Sequence, residues 1–220
     1  MNLGLFLDMD GTVTESRSII LPEMAELLGG FSPVIIVSGA EERQMRSQLL
    51  GLRSYLLAQN GNHALDENRV TIWRHELPPE EKKSIVEHAR SLFNSRVIPE
   101  DCLEDRGCQI SLSLVGHHAP RELKVAYDPG GAKRRELLSN HPAPCGIEAK
   151  VGGTTTIDYF KKGRHKGFYV RKFINQFKLT DAVYIGDAIF PGGNDETVVC
   201  VCRTIATKNP QDTIAILQRL

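Results

Sequence analysis

The segment LFLDMDGTVT (residues 5–14) ends an apolar run with two aspartates one residue apart, and Gly-Thr follows at once. An apolar run of this length is a buried-strand candidate. Successive strand residues point to opposite faces, so Asp8 and Asp10 are expected on one side and Met9 on the other. Two carboxylates that close repel each other unless a cation or a shared proton compensates, and oxygen ligands of this kind suit magnesium. The plain alternative is a capped strand end with two solvated acids. Three other segments put polar chemistry at the ends of probable strands: Ser38-Gly39, the Thr156/Asp158 region with Lys166 beyond it, and Gly186-Asp187 with Asn194-Asp195. In open parallel sheets ligands bind outside the carboxyl ends of strands.

Phosphoryl transfer gives each of these residues a task. Asp8 would attack phosphorus and form an aspartyl phosphate. Asp10 would protonate the leaving oxygen and later deprotonate the attacking water. Ser38 and Lys166 would bind the remaining phosphoryl oxygens. Asp187 and Asp195 would hold a magnesium ion, with Asn194 placed to orient ligands. Singly, several have a simpler reading. Ser38 could cap the helix that Glu41-Glu42-Arg43 opens. Lys166 stands among Lys161, Lys162 and Arg164 and could be surface. Asn60-Gly61 could be only a turn, and Asp187 could cap the segment after it. PGGND (191–195) is more specific, since two glycines and an Asn-Asp pair suggest a shaped loop.

The elements that would position these groups fall into two textures. Strands are expected at 3–10, 32–39 and within 54–65, helices at 22–31 and 41–52, and an alternating arm at 68–77. Such alternation of strand and helix describes a parallel sheet covered by helices. After Pro78-Pro79 come a helix (80–96) and a hairpin (102–116) turning at Arg106-Gly107. In that hairpin Ile110, Leu112 and Leu114 take one face, and Ser111 and Ser113 a wet one. A helix (131–142) and an alternating stretch (146–160) complete this part. The first pattern then returns. A helix at 167–179 carries Phe168, Val170, Phe173, Ile174 and Phe177 as its core stripe. Strands follow at 181–190 and 197–204, and a helix closes the chain at 209–220. The expectation is α/β: a core of residues 1–77 and 161–220, interrupted by an inserted α+β domain at 78–160.

Composition narrows the partners. The 220 residues carry 27 Lys+Arg against 27 Asp+Glu, so the net charge is zero and nothing calls for nucleic acid or a membrane. The basic run 161–172 is expected to be a solvated loop and helix face, or else a site for a small anionic substrate. The five cysteines show no metal-type spacing. Cys200 and Cys202 are expected to pack on one face of a strand in a reducing compartment. Asp8 interrupts the first apolar run, and no basic segment precedes it, so no signal peptide is expected. With no 18-residue apolar stretch either, the expected location is the cytoplasm.

The same residues carry a family resemblance. DMDGTVT (8–14), VSG (37–39), Lys166 and IGDAIFPGGND (185–195) resemble the four motifs of the haloacid dehalogenase-like (HAD) phosphotransferase superfamily. QNG (59–61), EDRGCQISLSLVG (104–116) and VGGTTTIDYFKKGRHKG (151–167) are similar to its branch containing eukaryotic phosphomannomutases and their small bacterial relatives. The resemblance implies a Rossmann-like core and a type C2b cap, the inserted domain that closes over a phosphorylated substrate. It implies Asp8 as nucleophile and Asp10 as acid/base. Asp8, Asp187 and the backbone carbonyl of Asp10 would be magnesium ligands, with Asp195 joining directly or through water. It adds Arg17, Gly39, Asn60, Asn194, Thr156 and Asp158 as substrate contacts. Mutases of this branch hold a second phosphate with cap arginines, one of them in a Gly-Arg pair after the second hairpin strand. Here that stretch reads Gly116-His117-His118, which leaves Arg106 and Arg121 as candidates. The resulting expectation is a magnesium-dependent phosphatase of a small phosphorylated metabolite, a sugar phosphate by family likeness. The alternative is a phosphohexomutase, and a catalytically silent HAD domain is the third reading. The protein would be a monomer or a cap-mediated homodimer.

Overall fold

A computed structural model describes residues 3–93 and 97–220. In chain order the elements are β1 (Leu3–Asp8), α1 (Pro22–Gly29), β2 (Val34–Val37), α2 (Glu42–Leu49), β3 (Tyr55–Ala58), β4 (His63–Leu65), β5 (Thr71–Arg74) and α3 (Pro79–Leu92). There follow β6 (Leu103–Asp105), β7 (Ile110–Ser113), α4 (Arg121–Tyr127), α5 (Ala132–Asn140), β8 (Ile147–Gly152) and β9 (Thr156–Lys161). The chain finishes with α6 (Lys166–Phe177), β10 (Asp181–Gly186), β11 (Arg203–Ala206) and α7 (Pro210–Leu217). These form two units, one up to Arg74 together with Arg164–Leu220, the other His75–Gly163. The divisions fall at 74/75 and 163/164, where the sequence reading puts them at 77/78 and 160/161.

The first unit is built on a seven-stranded sheet in the order β11-β10-β1-β2-β3-β4-β5. The strands from β11 to β3 run parallel, β4 pairs antiparallel with β3, and β5 pairs antiparallel with β4. A parallel strand covered on both faces must be apolar on both, and β1 shows this in Leu5, Phe6 and Leu7. Leu5, Leu7 and Met9 pack with Met24 and Leu28 of α1, Met45 and Leu49 of α2, and Ile214 and Leu217 of α7. Phe6 packs on the other face with Tyr169, Val170 and Phe173 of α6 and with Trp73 of β5.

Two sequence expectations fail in this unit for identifiable reasons. Phe168 is 46% exposed. At 3.6 residues per turn it lies opposite the stripe formed by Val170, Phe173 and Phe177, and Tyr169 takes the buried place. Lys166, one turn before Val170, falls on that buried stripe. The expected strand at 197–204 begins only at Arg203, because Val198 N–H donates to Asp195 and Val201 N–H to Val198, closing turns instead. Cys200 is therefore exposed and Cys202 half-buried in a loop, not packed on a strand.

The second unit is a four-stranded antiparallel sheet in the order β6-β7-β9-β8. Ile110, Leu112, Ile157 and Tyr159 pack against Ile85 and Ala89 of α3 and Leu137 and Leu138 of α5. Residues 94–96 of the expected helix 80–96 lie outside the described residues. The alternation predicts a wet opposite face, yet Ser111 and Ser113 are fully buried. Their hydroxyls are satisfied locally: Ser111 donates to Asp158 at 2.7 Å, and Ser113 shares a bond with Thr155 at 3.0 Å. Paired hydroxyls can be buried at little cost, so polarity alone does not mark a solvated face.

Arg134 ties this unit together. Its Nε meets Asp128 at 2.8 Å, and its Nη1 donates to the carbonyls of Gly152, Gly153 and Thr156, joining α5 to the β8–β9 turn. Both side chains of the ion pair are 2% exposed. Burial alone would raise the Asp128 carboxyl, but the Arg134 guanidinium and the N–H groups of Lys133 and Arg134 outweigh it and hold the carboxyl low. A depressed folded pKa gives stability that is present above the unfolded value, about 3.9, and lost as pH falls through the folded one. Asp128→Asn is therefore expected to cost about 3 kcal/mol at pH 7, with the gap closing below about pH 4. Urea unfolding of both proteins at pH 7 and pH 3 checks this; an equal gap at the two pH values would rule out the ion pair as its source.

Candidate active site

The site lies at the carboxyl ends of β10, β1 and β2, where parallel register aligns Leu7 with Ile185 and Asp8 with Val37. The last residue of β10, Gly186, with Asp187 after it, and Ser38-Gly39 after β2 are thereby brought beside Asp8. The start of α6 adds Lys166. Its ammonium, 1% exposed, bonds Asp8 at 2.5 Å and Asp195 at 2.7 Å. Tyr184 of β10 donates its hydroxyl to the same Asp195 oxygen at 2.6 Å.

Three carboxylates converge here. Oxygens of Asp8, Asp187 and Asp195 all lie within 4.8 Å of one another. Burial pushes the Asp8 carboxyl well above the usual carboxylate range, and the charges of Asp195 and Asp187 add to this against the opposing pull of Lys166. Asp187 is exposed, yet its carboxyl is also raised, by partial desolvation and by Asp195. Burial would lower the Lys166 ammonium, but Asp195 and Asp8 outweigh it and hold it charged. One ammonium against three acids leaves an excess of negative charge in an all-oxygen donor set, which fits a hard divalent cation such as magnesium. Two polar atoms on the neighbouring loops, Thr12 Oγ1 and Asn194 Oδ1, are buried with no hydrogen-bond partner among the described residues. Unmet acceptors of this kind suit a site completed by a ligand or ordered water.

Asp10 does not join that cluster. The strand ends at Asp8, and the N–H groups of Thr12, Val13 and Thr14 all turn back to the carbonyl of Met9, which stops the period-two alternation. Asp8 meets α6, whereas Asp10 Oδ1 accepts from Gln48 of α2 at 3.1 Å and from the Arg17 backbone N–H at 2.9 Å. The two segments still adjoin. A Cβ on Gly11 would lie 2.6 Å from Asp187, and Gly11 has φ +86°, so a side chain is disfavoured there twice over.

The other candidates are placed as follows. Ser38 is buried, and its hydroxyl accepts from Ala40 N–H at 3.0 Å, so it caps its own loop; α2 starts later and has no side-chain cap. Asn60 N–H donates to the Ser38 carbonyl at 2.8 Å, joining those two loops. Gln59 and Asn60 both have positive φ, 51° and 58°, so Asn60-Gly61 is more than an exposed turn. Arg17, itself left-handed at φ 56°, is exposed and meets Asp10 through its backbone. In the second unit, Arg106 is held by Glu104 at 2.6 Å, and Arg121 lies at the exposed start of α4. Asp158 accepts from Ser111, and Thr156 lends its carbonyl to Arg134. His117, standing where the resemblance expects arginine, is 1% exposed, with Nε2 3.2 Å from the Ser111 carbonyl.

Two further residues at the site, Tyr184 and Gln48, do not stand out by type or spacing as carriers of chemistry. Tyr184 reads as an ordinary core aromatic, and only its hydroxyl reveals the contact with Asp195. Gln48 carried a signal: it stands between Met45 and Leu49 on the buried stripe of α2, where a polar side chain needs partners.

Comparison with known proteins agrees with this architecture. A probable phosphomannomutase of Caenorhabditis elegans is 26% identical over 95% of this chain and 91% of its own length. A haloacid dehalogenase-like hydrolase from B. subtilis superposes with a TM-score of 0.72 at 11% identity, covering 100% of both chains. A HAD subclass IIB sugar phosphatase does so with a TM-score of 0.61 at 16% identity, covering 97% of this chain and 90% of the other. Residues 33–220 match the family described as eukaryotic phosphomannomutase, and with that match over most of its length the chain belongs to this family.

Proposed function

We propose that the protein is a magnesium-dependent phosphohexomutase acting through an aspartyl phosphate on Asp8. The observation that supports this reading is the buried Asp8 carboxylate, held by Lys166 beside Asp187 and Asp195 at the end of a central strand. Family membership favours the mutase over the hydrolysis that the sequence alone suggests. Asp8 would attack phosphorus while the bond to the sugar oxygen breaks. Asp10 would give that oxygen its proton and recover one from the next acceptor. Lys166 would hold Asp8 in line and offset charge on the phosphoryl oxygens. A bound magnesium ion would supply further neutralisation, with Asp8, Asp187 and Asp195 as the residues to hold it.

Hydrolysis of a sugar phosphate is the second reading, and one feature favours it. His117 is buried at the position where an arginine would serve a distal phosphate, and Arg106 is already neutralised by Glu104. A mutase must accept either end of a bisphosphate, whereas a hydrolase needs one phosphate site and water. The test supplies a hexose 1-phosphate, magnesium and a trace of hexose 1,6-bisphosphate. Formation of hexose 6-phosphate faster than free phosphate is the expected result. Free phosphate as the main product would replace the mutase with the hydrolase.

A further inference from the structure

We infer that Gln48 is a positioning residue for Asp10, holding Oδ1 so that Oδ2 is the oxygen offered to the reacting group during phosphoryl exchange; the inference rests on the acid–base role proposed for Asp10. Gln48 is 3% exposed on α2. Its Nε2 lies 3.1 Å from Asp10 Oδ1, 3.1 Å from Thr14 Oγ1 and 3.2 Å from the Ser18 carbonyl. An ionised carboxylate and a carbonyl only accept, so the amide nitrogen must face them. Its Oε1 is turned the other way and accepts from Gln44 Nε2 at 3.0 Å. The Gln48 backbone carbonyl also receives Ile20 N–H at 2.8 Å. One buried residue thus gathers the whole return of the chain from Asp10 to Ile20.

The consequence for chemistry lies in the two oxygens of Asp10. Oδ1 accepts from both Gln48 and the Arg17 backbone N–H. Two N–H donors on one oxygen hold that oxygen in place. Gln48 therefore aims the acid by anchoring Oδ1, and Oδ2 would be the oxygen that serves the reacting group. In the first half-reaction the bond from Asp8 to phosphorus forms and the bond from phosphorus to the leaving oxygen breaks. The leaving oxygen takes the electron pair. A sugar alkoxide then needs the Asp10 proton, whereas a nitrophenolate leaves without one.

That difference separates positioning from mere loop stability. Single-turnover phosphorylation is measured with a hexose phosphate and with p-nitrophenyl phosphate, for the parent, Gln48→Leu and Asp10→Asn. For Gln48→Leu the expected result is a loss of about 10- to 100-fold with the hexose phosphate and little change with p-nitrophenyl phosphate, as for a misplaced general acid. Equal loss on both substrates, or no loss on either, would overturn the inference. Asp10→Asn must show the same selectivity; if it does not, the acid role of Asp10 fails rather than the placement of Gln48. Should Gln48→Leu not fold, Gln44→Leu removes only the bond that orients the amide. It is expected to give the same selectivity at smaller amplitude, and equal loss on both substrates would again count against the proposal.

Discussion

Asp8→Asn is expected to remove turnover by at least 10³-fold, on the order of what loss of a covalent nucleophile costs, while leaving the metal-free protein as stable as the parent or more so. The two halves of this prediction come from one geometry. An amide cannot form the aspartyl phosphate, and no other carboxylate in the cluster occupies the strand end. Asp187 and Asp195 belong to the loop after β10, and Asp195 is already engaged by Lys166 and Tyr184. The charge of Asp8, however, is costly to the fold, since burial raises its carboxyl and Asp187 and Asp195 repel it. Asparagine keeps an oxygen to accept from Lys166 and relieves that repulsion. Activity assays with magnesium, and thermal unfolding in the presence of a chelator, check the two halves separately. Retained turnover would end the aspartyl-phosphate reading, whereas a large drop in stability would mean that the ionised Asp8–Lys166 pair holds the fold.

Lys166→Met is expected to fail on both counts. Its ammonium is the cation that both Asp8 and Asp195 contact, and all three groups are buried. Removing one member of a buried ion pair leaves the remaining charge uncompensated, at a cost of about 3–5 kcal/mol. Methionine fills similar volume on the stripe of α6 that carries Val170 and Phe173, so a packing defect would not account for the loss. Turnover should fall by at least 10²-fold, on the order of losing a group that stabilises transition-state charge. Magnesium binds the folded carboxylates more tightly than the dispersed unfolded ones, so it should restore part of the stability. Urea unfolding with and without magnesium reads this directly. A variant whose midpoint ignores magnesium would show that the acid cluster does not hold the ion. In the parent, magnesium should raise the midpoint less, because Lys166 already neutralises part of the charge.

The legible features were those written in short-range pattern. Alternation and unbroken apolar runs mark β1, β2 and β10 as strands, because a buried parallel strand must be apolar on both faces. The 3.6-residue spacing marks α6, although the period had to be followed strictly to see that Lys166 lies on the buried stripe and Phe168 off it. Where polar groups were concerned, the same patterns misled. Ser111 and Ser113 alternate like a wet face but pair with Asp158 and Thr155. Thr197–Cys202 is β-prone in composition but is drawn into turns by the backbone bonds that follow Asp195.

The two aspartates show where the local code ends. Residue types and spacing alone suffice to nominate Asp8, Asp10, Lys166, Asp187 and Asp195 for phosphoryl chemistry. The strand period treats Asp8 and Asp10 as equivalent neighbours. The folded chain separates them, sending Asp8 to Lys166 of α6 and Asp10 to Gln48 of α2, 38 residues away. That division follows from strand order and register and from the return of residues 10–20 over α2. Those are fixed by packing between distant segments, where the partner of a buried polar atom is chosen by the fold and by no neighbour in sequence.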